Sequence, residues 1–253
     1  AKDDVADAMA QVRPLPYDTR EAILGGIEIA FRDAGHILGS SIVELWADGK
    51  KLVFSGDLGP TGTPILRDPT PIGQADLVLM ESTYGDRLHK PIEQMDDELA
   101  AIVKKVYDRG GKVVIPSFAL ERAQELVYAF KGLRESGRLP PMPIYVDSPL
   151  TVKITDVFKL HPECLDEEAL ELLQGRNSPF EFDDLHYISD KEDSKAVSSS
   201  NEPSIVISAS GMCEAGRIRH NLKNHIGDAR NLVVLIGYCV EKKLGDEIMA
   251  GGR

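Results

Sequence analysis

The chain is predicted to be an α/β protein in two parts, and three observations support this. Up to about residue 86 the apolar runs are short and strand-like, with a hairpin signal at Asp48-Gly49. Beyond that point strands alternate with helix-length amphipathic segments, the pattern of parallel βαβ units. The 253 residues are 42% hydrophobic and 28% charged, enough to build a substantial core in one large domain or two modest ones.

Taken in order, Val5, Ala8, Met9 and Val12 have helical spacing, and Pro14 and Pro16 end that helix. Strands are expected at 27–31, 41–46, 51–55 and 77–81. Leu99, Ile102, Val103 and Val106 then form a helical stripe within 92–109, closed by Gly110-Gly111. A strand at 112–116 leads to a helix at 119–136 with Leu120, Ala123, Val127 and Phe130 on one face. Another strand at 143–147 leads to a helix through Leu160. Apolar runs at 204–208 and 231–236 flank a helix around 217–225. The polar stretch 175–203, with Asn177-Ser178-Pro179 and a serine run at 198–200, reads mostly as connecting loop.

Composition excludes some functions. No apolar run reaches the roughly 18 residues of a membrane helix, so no membrane association is expected. The polar start Ala1-Lys2-Asp3-Asp4 is no signal peptide and, lacking Met, suits a fragment of a longer chain. Three scattered cysteines, Cys164, Cys213 and Cys239, point to packing in a reducing cytoplasm. A net charge of −12 argues against coating nucleic acid by bulk electrostatics, but it is compatible with a few well-placed cations in a cleft.

Two stretches carry metal chemistry. Asp33-Ala34-Gly35-His36-Ile37-Leu38-Gly39-Ser40 and Ser55-Gly56-Asp57-Leu58-Gly59 each place one good ligand beside glycines after a strand. An imidazole and a carboxylate suit zinc, and a bridging carboxylate suits a two-metal centre. Alone, either residue reads as an ordinary loop histidine or turn aspartate; paired in these contexts they read as half a metal site. The remaining half, a dense His/Asp cluster, is absent from this sequence.

Three further segments place small polar residues after strands of the second part: Ser117, Ser148 and Ser210-Gly211. In a parallel sheet, ligands bind beyond the carboxyl ends of strands, and each following helix offers free N–H groups to an anion. Arg122 and Arg217 add fork-shaped donors suited to phosphate. Several convergent anion sites suit a chain of phosphates, although the same serines would serve equally as plain helix N-caps.

These stretches, with Glu81-Ser82-Thr83-Tyr84-Gly85-Asp86-Arg87, Pro116-Ser117-Phe118-Ala119-Leu120-Glu121-Arg122-Ala123-Gln124-Glu125, Tyr145-Val146-Asp147-Ser148-Pro149, Ser208-Ala209-Ser210-Gly211-Met212, Gly216-Arg217 and Ile236-Gly237-Tyr238, resemble in order the β-CASP branch of the metallo-β-lactamase superfamily. The resemblance implies part of a metallo-β-lactamase αββα sandwich over 1–86. It further implies most of a β-CASP domain over 87–253, with a mainly parallel sheet flanked by helices. For the intact protein it implies zinc-dependent hydrolysis of RNA phosphodiester bonds, with single-stranded RNA as partner and a homodimer allowed. Two zinc ions would be held partly by His36 and bridged by Asp57, while Glu81 would orient a neighbouring histidine or, alternatively, cap the next helix. Ser117, Arg122, Ser148, Ser210, Gly211 and Arg217 would hold substrate phosphates. Tyr84 and Phe118 would stack on bases or simply pack. His89, His161 and His186 read as ordinary histidines, and His220 as touching RNA or simply covering its helix.

The resembled family carries a His-x-His-x-Asp-His motif and further histidines that this sequence lacks, so these 253 residues alone would bind zinc weakly. Rival expectations are a catalytically dead β-CASP scaffold in an RNA-processing complex and a metallo-hydrolase of small phosphate esters or thioesters. A nucleotide-binding α/β domain is weaker, since no Gly-x-Gly-x-x-Gly or Walker-type loop occurs.

Overall fold

Asp48 and Gly49 take φ of 49° and 74°, the paired left-handed conformation that a two-residue hairpin turn requires. The computed structural model describes residues 2–86, 88, 92–175, 177–237, 240 and 242–251; Arg87, His89, Tyr238 and Cys239 lie outside the described residues. The chain divides into two units, Ala1–Thr63 with Arg67–Asp86 and Pro64–Leu66 with Arg87–Arg253.

The first unit holds helix α1 (Lys2–Met9) and strands β1 (Arg20–Leu24), β2 (Ile27–Asp33), β3 (Ser41–Ala47), β4 (Lys50–Phe54) and β5 (Leu77–Leu79). They form one sheet in chain order, antiparallel except for the parallel pair β4–β5. Ala34, Ile42 and Val53 are buried, with Leu58 and Ile72 packed against them. Glu44 is buried on β3, but Arg32 and Lys51 reach it from the neighbouring strands, which keeps a buried carboxylate tolerable. Strand β1 was not expected. It is exposed along its length and pairs with β2 across Gly25-Gly26, a turn signal that was present in the sequence.

The second unit alternates helices and strands as the sequence pattern requires: α2 (Ile92–Asp108), β6 (Val113–Pro116), α3 (Arg122–Glu135), β7 (Ile144–Val146), α4 (Pro149–Leu160), a 3₁₀ turn at Pro162–Cys164, α5 (Glu167–Gln174), β8 (Leu185–Tyr187), α6 (Lys191–Ser199), β9 (Ile205–Ser208), α7 (Ile218–His225), β10 (Leu232–Val233) and α8 (Leu244–Met249). Its five strands are all parallel in the order β10-β6-β9-β7-β8. Every residue of β6 and β9 is buried, as expected of central parallel strands covered on both faces. The reading of 175–203 as loop is corrected, because β8 and α6 lie inside it. Among the described residues no helix is long and apolar enough to cross a membrane.

The strand order matters for ligand binding. The connections after β6 and β7 run toward the β8 edge, whereas the one after β9 runs back toward β10. The outgoing connections thus diverge between the adjacent strands β9 and β7, and open α/β sheets bind ligands beyond the carboxyl ends at such points.

Lys112, just before β6, is only 1% exposed and donates to Val197 O at 3.0 Å. Burial pushes its ammonium down to about 8, against the opposing pull of Glu202. Between that value and the ordinary 10.5 the unfolded chain holds a proton that the fold has released, so stability rises with pH across this window and falls back as pH drops through 8. Denaturant unfolding is expected to show that rise between pH 8 and 10, and Lys112→Met is expected to flatten it; identical slopes in both proteins would refute the assignment.

Candidate active site

In the first unit, the 33–40 loop between β2 and β3 is held by local hydrogen bonds. Gly35 N–H donates to Asp33 Oδ1 at 2.8 Å, and the His36 and Ile37 amides both donate to Ser40 Oγ at 3.2 Å. Tyr17 OH donates to Ser40 O at 2.7 Å from outside the loop. The 55–59 loop after β4 is then pressed against it, since Gly59 N–H donates to Ala34 O at 2.9 Å. A Cβ on Gly59 would stand 1.7 Å from Gly35 O, so only glycine permits this approach. The outcome is that His36 Nε2 lies 4.0 Å from Asp57 Oδ2, with side chains 39% and 74% exposed.

Glu81 follows β5 and faces the same loop. Its Oε1 accepts from Leu58 N–H at 2.8 Å and its Oε2 from Thr83 N–H at 3.3 Å, while its own N–H donates to Ser55 Oγ at 3.0 Å. The Leu58 hydrogen bond, then that of Thr83, holds its carboxyl below the usual glutamate range, and the field of His36 adds to this. Glu81 therefore fixes the residue next to Asp57 and does not cap a following helix.

The donor pair fits a zinc ion as part of a shell. A tetrahedral ion with bonds of about 2.0–2.1 Å holds its donors roughly 3.4 Å apart, a small rotamer adjustment from 4.0 Å. Among the described residues, no group of three or more His, Cys, Asp or Glu converges on one point, so the pair alone does not close a site.

In the second unit, the candidate phosphate residues all follow strands at the carboxyl edge. Ser117, after β6, is buried, and its Oγ donates to Phe118 O at 3.0 Å. Ser148 caps α4, its Oγ accepting from Thr151 N–H at 3.2 Å, with Pro149 at the first helical position. Ser210 Oγ donates to Ala215 O and accepts from Ala215 N–H, both at 3.3 Å, which closes the loop that begins with Gly211. Arg122 opens α3 with its side chain 40% exposed and Nη1 2.5 Å from Glu125 Oε2.

Arg217 has a different role from the one its sequence position suggested. Its Nη1 donates to Asp147 Oδ1 and to Ile188 O, both at 3.0 Å, and its Nη2 to Ser189 O at 2.8 Å. The fork is directed into the protein at a carboxylate. Asp147 has no solvent exposure and also accepts from Ser194 Oγ at 3.0 Å and Asn221 Nδ2 at 2.9 Å. Its backbone carbonyl accepts from Ser208 Oγ at 2.9 Å. Sequence reasoning gave none of Asp147, Asn221 and Ser194 a role; the available signal was an acidic residue closing an apolar strand.

Three of the other histidines have ordinary surroundings, while His225 is buried with its Nε2 unpartnered among the described residues. His161 Nδ1 lies 2.8 Å from Glu163 Oε1, His186 stacks on Tyr145 at 5.3 Å between centroids, and His220 is exposed on α7.

Residues 123–248 match the model of the Beta-Casp domain. The chain is 41% identical over 249 residues to Ribonuclease TTHA0252 of Thermus thermophilus, an alignment covering 98% of this chain and 57% of that protein. It is 32% identical over 255 residues to an RNase J-like protein of Methanocaldococcus jannaschii, covering 100% of this chain and 58% of the relative. Endoribonuclease YSH1 of Kluyveromyces lactis is 25% identical over 245 residues, 94% of this chain and 31% of that protein. The chain thus spans little more than half the length of its first two relatives.

Removing the Asp147 carboxylate leaves a guanidinium with 19% side-chain exposure and a buried amide without their acceptor. Asp147→Ala is expected to cost roughly 3 kcal/mol of stability by chemical denaturation. A loss within about 0.5 kcal/mol, the range of an ordinary surface substitution, would contradict this network's importance.

Proposed function

Since the chain belongs to the β-CASP family of ribonucleases, we propose that it forms the central part of a zinc-dependent enzyme that hydrolyses phosphodiester bonds of single-stranded RNA. The observation that carries the proposal is the approach of His36 Nε2 to Asp57 Oδ2, with Glu81 anchoring Leu58 beside them. Residues 1–86 are proposed as part of a metallo-β-lactamase domain and 87–253 as most of the β-CASP domain. The remaining metal ligands are proposed to come from protein beyond these 253 residues, in keeping with the coverage of the relatives.

In this proposal His36 would be a ligand to zinc and Asp57 would be a carboxylate ligand shared in the same centre. Zinc, when bound, supplies Lewis acidity at the scissile phosphate and lowers the pKa of water. Glu81, ionised at neutral pH, keeps the Asp57 loop from drifting, because its carboxylate holds the Leu58 amide. The carboxyl-edge loops next to the buried Ser117 and Ser148, together with Ser210-Gly211, face the RNA backbone through main-chain N–H groups and the N-terminus of α4. Arg122, the exposed cation among them, meets phosphate by exchanging its contact with Glu125.

Two measurements on the full-length gene product test this. Asp57→Ala is expected to abolish metal-dependent RNA cleavage while leaving RNA affinity largely intact; equal loss of both would remove Asp57 from the chemistry. A wild type that is folded, metal-free and inactive would instead make the protein a scaffold. Arg122→Ala is expected to weaken RNA binding and to flatten its salt dependence by about one counterion's worth of slope. An unchanged slope would exclude a phosphate contact.

A further inference from the structure

All seven phenylalanines of the chain lie in described segments, and Phe118 is the one left exposed, at 41%. Phe130, Phe158 and Phe180 are fully buried, so the core has no shortage of aromatic packing and Phe118 does not contribute to it. It stands immediately beyond β6, beside the loop that follows β9, at the carboxyl edge of the sheet. Pro116 pairs with Ser208, and Ser117 N–H donates to Ser208 O at 3.0 Å, so Phe118 and Gly211 are brought together by sheet register.

The ring rests on backbone. A Cβ on Gly211 would stand 2.9 Å from both Cδ2 and Cε2 of Phe118, and one on Gly237 would stand 3.8 Å from Cε2. The loop after β9 therefore presents glycine where any side chain would collide with the ring, while a Cβ on Gly237 would stand at ordinary contact distance. A large apolar ring held against fixed backbone, yet open to solvent at the ligand-binding edge of a parallel sheet, is arranged to receive a flat partner with little further ordering.

We infer that Phe118, seated against Gly211, is a stacking platform for one nucleobase of the RNA strand, a base-binding subsite alongside the phosphate-facing loops. This rests on the proposal that the protein acts on single-stranded RNA. Stacking is tolerant of sequence because every base has a π face, so the subsite grips a strand without selecting one base.

The test uses the full-length protein and cleavage kinetics on a short single-stranded RNA in which one abasic ribose is moved along the chain. Phe118→Leu, which keeps apolar bulk but removes the π face, is expected to raise KM about tenfold with kcat little changed, and Phe118→Trp to restore it. At one position the abasic ribose is expected to raise the wild-type KM by a similar factor and to add nothing in Phe118→Leu. Gly211→Ala, which displaces the ring without removing it, is expected to raise KM in the same sense. A wild-type KM in Phe118→Leu, an abasic penalty undiminished at every position, or a fall in thermal stability with no KM change would overturn the platform while leaving the nuclease proposal standing. A wild type that cleaves no RNA would overturn both.

Discussion

A carboxylate with no access to solvent is tolerable in a fold only if every oxygen finds a donor, and that constraint at Asp147 organises the carboxyl edge of the parallel sheet. The donors come from two places far apart in sequence from it and from each other: Ser194 on α6, and Arg217 and Asn221 at the start of α7. Arg217 extends the network to the loop after β8 through Ile188 O and Ser189 O. Ser208, at the end of β9, closes it by donating to the Asp147 carbonyl. One residue thus fixes the exits of β7, β8 and β9 against one another. Ser148 and Ser210, one and two residues beyond these anchors, take their positions from it. The cost of any misplacement is high, because a half-satisfied buried network is worse than an apolar one.

The sequence made the central strands legible for a physical reason: β6 and β9 are covered on both faces and read as unbroken apolar runs. The β3–β4 hairpin was legible because Asp-Gly is among the few pairs that accept two successive left-handed residues. Residues 175–203 were not legible. There β8 is a three-residue edge strand of mixed exposure, and α6 turns polar side chains, Ser194 and Ser198, to the interior. Ser194 is satisfied by Asp147 and Ser198 by Asn224, so the helix faces the core with no apolar stripe to announce it. Periodicity detects burial only when burial is hydrophobic.

The same limit explains the candidate site. His36 and Asp57 stand in short stretches where ligand chemistry and glycine context coincide, and the structure brings the two side chains to 4.0 Å through the Gly59–Gly35 contact; their metal role is a proposal. Arg217 was misread because a guanidinium fork fits phosphate and carboxylate equally well. Its carboxylate partner lies 70 residues away, and no local pattern encodes that pairing. Glu81 was legible as a neighbour of the candidate metal pair. Its mode of action, a hydrogen bond to the amide of Leu58, emerges only from the parallel pairing of β4 with β5.

An acidic chain of net charge −12 that is proposed to hold RNA must do so without a broad cationic field. The carboxyl edge of the parallel sheet offers a consistent alternative. Neutral groups dominate it: the N-terminus of α4 capped by Ser148, the small residues Ser210 and Gly211, and the exposed ring of Phe118. Arg217, one of the two cations sequence reading placed there, is committed to Asp147, which leaves Arg122 as the contact most sensitive to salt. Backbone N–H groups and an aromatic face lose little as ionic strength rises, because neither depends on counterion release. Binding of this kind gives up long-range steering and gains contacts that operate only at close approach, where a single flexible strand can lay both a phosphate and a base against the same pair of loops.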